Sequence, residues 1–135
     1  MIRIIYNIEN LSCIYSSSSR PVLEIEKLQI ERGERVFFIG PSGVGKSTIL
    51  ETLGLMNNTV KPSENSTFDF LEENILDIWS KGEEGMKNKR KEKFSFIFQS
   101  NNLFSSMTGF QNIISGAIIE GREKISCLKK NATKH

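Results

Sequence analysis

Nine consecutive residues hold the most specific chemistry in this chain: Gly40, Pro41, Ser42, Gly43, Val44, Gly45, Lys46, Ser47 and Thr48. Their order fits G-x-x-x-x-G-K-[ST], the Walker A pattern of a loop wrapped around phosphate. Gly40, Gly43 and Gly45 allow the positive φ and the close backbone approach that such a loop demands. Successive N–H groups then turn inward as an anion nest. A helix opening near Lys46 aims its positive end, roughly half a unit charge, at the same point. Lys46 is expected to reach the β- and γ-phosphates of a nucleotide, and the Ser47 hydroxyl to hold the Mg²⁺ that bridges them. In average composition the pattern arises by chance in about one chain of this length in a few hundred. The sequence therefore predicts a nucleoside-triphosphate site.

Such a loop has to be carried by a strand and a helix. Residues 36–39 (VFFI) form a short unbroken apolar run, suited to a central strand of a parallel sheet buried on both faces. Residues 46–56 (KSTILETLGLM) place Ile49, Leu50, Leu53 and Leu55 near helical spacing. Upstream, residues 2–8 (IRIIYNI) and the alternating residues 22–30 (VLEIEKLQI) read as strands, and ERGE (31–34) as a turn centred on Gly33. Downstream, the polar residues 57–66 read as a surface loop. TFDF (67–70) alternates again, with residues 75–79 beside it. FSFIF (94–98) is a second apolar strand, followed by a polar loop and a helix-like run around residues 113–119. Residues 81–93 hold six basic and three acidic side chains without interleaved aromatics, which reads as a solvated helix or loop.

With 135 residues the chain has room for one domain, given a prior of roughly 150 residues each. It is 38% hydrophobic and 25% charged, as in an ordinary soluble globule, which excludes a chain disordered throughout, a collagen and a disulfide miniprotein. A net charge of +2 argues against a dedicated nucleic-acid binder, whose affinity rests on many phosphate contacts. Cys13 and Cys127 allow one disulfide by arithmetic, but free thiols in a reducing compartment are the reading adopted. The N-terminus lacks a signal peptide's long apolar region, and no window approaches the roughly 20 apolar residues of a membrane span. The cytoplasm is the expected location.

The stretch FSFIFQSNNLFSSMTGFQNI (94–113) resembles the Q-loop region of ABC-type ATP-binding domains. There a strand ends in Gln, a polar loop follows with a buried Leu or Phe, and a helix opens at a Thr-x-x-x-Asn pattern. Here those features are Gln99, Leu103, Phe104, Thr108 and Asn112. The residues before the phosphate loop resemble the N-terminal β-subdomain of the same family, and Tyr15 falls where the family places its adenine-stacking aromatic. The resemblance runs from about Ile4 to Glu120 and is nearest to the subgroup of lipoprotein-release, macrolide-export and cell-division ATP-binding proteins. It implies an α/β phosphate-loop fold in which residues 1–120 make the N-terminal portion, Walker A to Q-loop, and the fold is incomplete at its C-terminus. The basic tail 121–135 departs from the family's continuation and reads as non-native to the fold or disordered.

The resemblance also implies roles. Tyr15 would stack on adenine, the other reading being a surface aromatic beside a serine loop. Gln99 would complete the Mg²⁺ shell and sense the γ-phosphate, the other reading being a polar strand end. Residues 100–107 would face a transmembrane permease subunit, with Phe104 and Met107 either touching it or packing locally. A second ATP-binding subunit would complete the assembly, peripheral at the inner face of the plasma membrane, and no nucleic acid is involved. ATP and Mg²⁺ are the implied ligands.

Parts of the family's machinery have no counterpart in these 135 residues. There is no LSGGQ-like signature and no apolar run ending in Asp-Glu, and the single histidine is His135, the last residue. Asp69, Glu72 and Asp77 precede Gln99 and stand in the wrong order. The expectation is therefore ATP binding without hydrolysis by a truncated product, a fragment or half of a split protein. Two alternatives share the glycine loop: a guanylate-kinase-type nucleoside-monophosphate kinase, and a non-hydrolysing regulatory nucleotide module. The 39 residues before the loop and the surroundings of Gln99 weigh against the kinase.

Overall fold

β-Branched and aromatic residues are concentrated at the start of the first strand, which pairs on both sides. In the computed structural model, which describes residues 3–98, 100 and 103–119, the chain divides into two units between Phe96 and Ile97. The first unit opens with β1 (Ile4–Cys13), flanked by β2 (Leu23–Glu31) and β3 (Val60–Phe70), with the short β4 (Glu73–Asn74) beyond. The sheet is antiparallel in the order β2-β1-β3-β4. Strict alternation from Ile8 would turn Asn10 and Ser12 inward. Instead Asn10 sits at φ 51°, where the register against β3 shifts, and the inward set resumes at Leu11 and Cys13. A bulge thus rescues the apolar face from a one-residue slip.

The polar residues 57–66, expected as a loop, enter β3 from Val60 onward. Their composition misleads because residues 61–64 are exposed, yet Lys61 and Pro62 continue the pairing of β3 with β1. The extra residues form a serine-braced bulge: the Ser63 N–H donates to Ser66 Oγ (2.8 Å), and Ser66 Oγ donates to the Asn10 carbonyl (2.6 Å).

Helix α1 (Lys46–Leu53) buries Thr48, Ile49, Thr52 and Leu53. Leu50, expected on the apolar stripe, is instead about half exposed, because the threonines occupy its place. Leu55 is buried just past the helix, at φ 58°. α2 (Ile75–Ser80) is capped by Asn74, whose Oδ1 accepts the Leu76 N–H (2.8 Å), and it buries Ile75 and Trp79. The basic run becomes α3 (Glu83–Lys93), with acids in its first turn and Arg90, Lys91 and Lys93 in its last, matching the helix dipole. Met86 anchors it to the core, where Phe68, Ile8, Leu11 and Ile75 are also almost wholly buried.

Residues 36–39, expected as a central strand, and 94–98, expected as a second apolar strand, are not strands in the structure. A strand exists through ladders with its neighbours. Apolar composition shows only that burial is favourable, not that a partner backbone lies alongside. Phe37 is 79% exposed and Ile39 93%.

In the second unit, α4 (Gly109–Ile119) opens with a reciprocal cap: Thr108 Oγ1 accepts the Gln111 N–H (3.2 Å) and Gln111 Oε1 accepts the Thr108 N–H (2.8 Å). Among the described residues no helix is long and apolar enough to cross a membrane.

Candidate functional site

The loop predicted to wrap phosphate has the backbone its glycines permit. Gly43 lies at φ 81° and Gly45 at φ 98°, left-handed values that a side chain resists. Gly45 is the residue before α1, and its carbonyl accepts the Ile49 N–H at 2.9 Å. A Cβ at Gly45 would stand 3.1 Å from the Val22 carbonyl, and one at Gly40 3.0 Å from Val44 Cγ1. The chain therefore turns sharply from residue 40 and delivers Lys46, half-buried, into the first helical turn. Lys46 Nζ folds back and donates to the carbonyls of Gly40 (2.9 Å) and Pro41 (2.6 Å).

Pro41, Ser42, Gly43, Val44 and Ser47 are exposed, so the loop and the first-turn hydroxyl face solvent. Beside them lies a shallow pocket of about 300 Å³, lined by Leu23, Phe37, Phe38, Ile39, Val44, Gly45, Lys46 and Ile49. A larger one, about 420 Å³, runs along the start of β1 past Arg3, Asn7, Gln29 and Asp69 and includes no loop residue. The smaller pocket is the relevant one, because it combines apolar walls with the Lys46 cation at a helix start. The donor set suits a phosphate tail: backbone N–H groups, an ammonium and a hydroxyl. It also suits Mg²⁺, which keeps waters and phosphate oxygens and takes one or two protein oxygens.

Thr48 is buried, and its Oγ1 shares a hydrogen bond with Tyr15 Oη at 3.1 Å. Tyr15, predicted for the base, is thus brought to the first turn of α1. Gln99 lies outside the described residues, as do Cys127, His135 and the tail 121–135. In the second unit Leu103, Phe104 and Met107 are exposed, and Asn112 braces their loop. Asn112 Nδ2 donates to the carbonyls of Phe104, Met107 and Thr108 (3.1, 3.2 and 3.1 Å), while its Oδ1 accepts the Phe104 N–H (2.7 Å).

Three supporting residues escape a reading of the sequence. Asn57 Nδ2 donates to the Thr48 carbonyl (3.3 Å) and to Thr52 Oγ1 (3.1 Å), while its Oδ1 accepts from Thr59 Oγ1 (2.9 Å). Tyr6 Oη donates to the Leu53 carbonyl at 2.9 Å, and burial pushes its phenol pKa well above the usual value. Arg90 Nη1 donates to the Leu55 carbonyl. An Asn after a helix reads as a turn and a Tyr in a strand as core, so only the three-dimensional contacts show that these side chains fix α1.

Comparison with known proteins agrees with this geometry. The ABC transporter family model matches residues 23–135. A macrolide export ATP-binding/permease protein MacB of Shewanella sp. (strain W3-18-1) is 35% identical over 114 residues, covering 84% of this chain and 16% of that protein. The lipoprotein-releasing system ATP-binding protein LolD of Ehrlichia chaffeensis (strain ATCC CRL-10679 / Arkansas) is 36% identical over 126 residues, covering 90% of this chain and 51% of the relative. LolD 1 of Chlorobium chlorochromatii (strain CaD3) is 38% identical over 95 residues, 70% of this chain and 36% of its own length. The chain thus spans about half the length of these relatives or much less. With the glycine loop, its helix and the antiparallel sheet in place, the chain belongs to the ABC transporter family and is similar to ATP-binding proteins named for macrolide export and lipoprotein release.

Proposed function

We propose that this chain binds ATP with Mg²⁺ as the nucleotide-binding part of a transporter and does not turn ATP over by itself. The observation that carries the reading is the loop 40–48, with left-handed glycines leading into α1 and Lys46 folded over its carbonyls. Backbone N–H groups of Gly43, Gly45, Lys46 and Ser47 would cradle the phosphates, and the Lys46 ammonium would exchange its carbonyl partners for phosphate oxygens. Ser47 Oγ would be the protein's oxygen on Mg²⁺, and Gln99 would add a second. The metal, when bound, neutralises charge between the β- and γ-phosphates. Tyr15 would stack against the base.

Partners follow from the family. The exposed loop with Phe104 and Met107 would meet a transmembrane permease subunit, placing the chain at the inner face of the membrane, and a second ATP-binding subunit would face the nucleotide. Hydrolysis requires a group that orients the attacking water. These 135 residues contain no LSGGQ-like signature and no apolar run ending in Asp-Glu. The test offers the purified chain ATP and Mg²⁺, with and without GMP or AMP. Saturable ATP uptake with neither phosphate release nor ADP formation is expected. Steady phosphate release lost in Lys46→Ala would overturn the non-hydrolysing reading, and ADP made only with GMP or AMP would replace it with a nucleoside-monophosphate kinase.

A further inference from the structure

The segment carrying Tyr15 has little reason to be ordered from its own composition, since four serines follow the tyrosine. Its ends are nevertheless pinned: the Ile14 N–H donates to the Thr59 carbonyl (2.8 Å), and the Val22 N–H to the Cys13 carbonyl (2.9 Å). Between those points the Ser18 N–H closes a turn onto the Tyr15 carbonyl (2.9 Å). The Tyr15 side chain itself, 39% exposed, reaches α1 through its hydroxyl alone in the hydrogen bonding described, by the 3.1 Å bond to Thr48 Oγ1. Thr48 is a firm anchor. It is only 5% exposed, it sits in the first turn two residues after Lys46, and its carbonyl is held by Asn57.

We infer that Thr48 is a positioning residue for Tyr15, its hydroxyl fixing the aromatic ring beside the phosphate loop so that the site prefers a nucleotide to a bare polyphosphate. This rests on the nucleotide-binding reading above and adds a determinant of base preference to it. Stacking needs only the face of a ring, so a phenylalanine would serve if the ring were already in place. The hydroxyl matters because an untethered ring on a serine-rich loop must be ordered when the base arrives, and immobilising a side chain weakens binding. The tether removes that cost before the ligand binds.

The experiment compares the affinity of the 135-residue chain for MgATP and for magnesium tripolyphosphate, which has the phosphate tail and no base. Wild type should prefer ATP. Tyr15→Phe keeps the ring and removes the tether, and its ATP-to-tripolyphosphate preference should fall about threefold to tenfold, the scale of one net hydrogen bond. Thr48→Val should lower the ratio similarly, Thr48→Ser should restore it, and the double variant should be no worse than either single one. Circular dichroism on each variant confirms the fold, and the Tyr15→Phe and Thr48→Ser pair suffices if Thr48→Val fails to fold. An unchanged or increased preference in Tyr15→Phe, or additive losses in the double variant, would overturn the inference while leaving nucleotide binding intact. A wild-type chain that takes up neither ligand would overturn both.

Discussion

At the scale of single residues, two glycines of the loop make different demands. Gly43 and Gly45 both hold left-handed φ, but a Cβ at Gly43 meets nothing within 4 Å whereas one at Gly45 approaches the Val22 carbonyl at 3.1 Å. Gly43→Ala should therefore cost backbone strain alone, and Gly45→Ala strain plus a displaced strand end, about 1–3 kcal/mol in total. Urea unfolding of the two variants measures the difference, and equal losses would mean that the neighbouring carbonyl yields freely. These glycines were legible in the sequence because the chemistry they serve is local: positive φ, adjacent amides and a lysine at fixed spacing. The partners of Lys46 were not legible. Nothing in the string says that its ammonium rests on the Gly40 and Pro41 carbonyls.

At the scale of elements, the phosphate helix is held to the sheet by side chains far away in sequence. Tyr6 on β1 reaches the carbonyl of Leu53 at the end of α1, and its ring lies 4.8 Å from that of Phe70 on β3. Tyr6→Phe should lower stability by about 0.5–1.5 kcal/mol through the lost hydrogen bond. The same residue carries a pH signature. Burial raises the folded-state phenol pKa above its unfolded value, so the neutral form is the one the fold favours. Below the ordinary tyrosine pKa of about 10 both states are protonated and this contribution is fully present; as pH rises beyond it the unfolded chain ionises first and stability is lost. Wild type should therefore lose more stability than Tyr6→Phe between neutral and strongly alkaline pH, measured by unfolding midpoints. Parallel curves would contradict the assignment. In the second unit, Asn112→Ala removes the brace beneath Phe104 and Met107, and faster amide exchange at residues 104–108 is the expected result.

The limits of the sequence are also clearest among elements. The apolar spacing of residues 46–56 and the helix-like run around 113–119, both local signals, point to α1 and α4, whereas the charged residues 81–93 leave helix and loop open and form α3 over 83–93. Residues 60–66 hide a strand because most of their side chains are polar, while residues 60–62 pair with β1 and 63–66 bulge out of the ladder, a relation that composition does not express. Residues 36–39 err in the opposite direction: their apolar run suggests a ladder, and the structure supplies none.

At the scale of the whole molecule, the described core joins one face of an antiparallel sheet to three helices, α1, α2 and α3. Outside it, Phe37 and Ile39 stand almost fully in solvent beside the phosphate loop. Exposed apolar surface of this kind favours association. Replacing both, as Phe37→Ser with Ile39→Thr, should raise the concentration at which the chain stays monomeric while moving stability by no more than about 0.5 kcal/mol, as at other exposed positions. Light scattering and thermal melts read the two effects, and a large drop in the melting midpoint would show that these side chains are packed in solution.

Calorimetric titration of MgATP into the folded chain, with Lys46→Ala as its companion, reaches the central claim most directly. Saturable heat of one site per chain is expected for wild type. In Lys46→Ala the affinity should fall about tenfold to a hundredfold, the scale of a hydrogen bond to a charged group. No saturable heat from a wild-type sample with native circular dichroism, or equal binding by the two proteins, would contradict the assignment of residues 40–48 as a phosphate cradle.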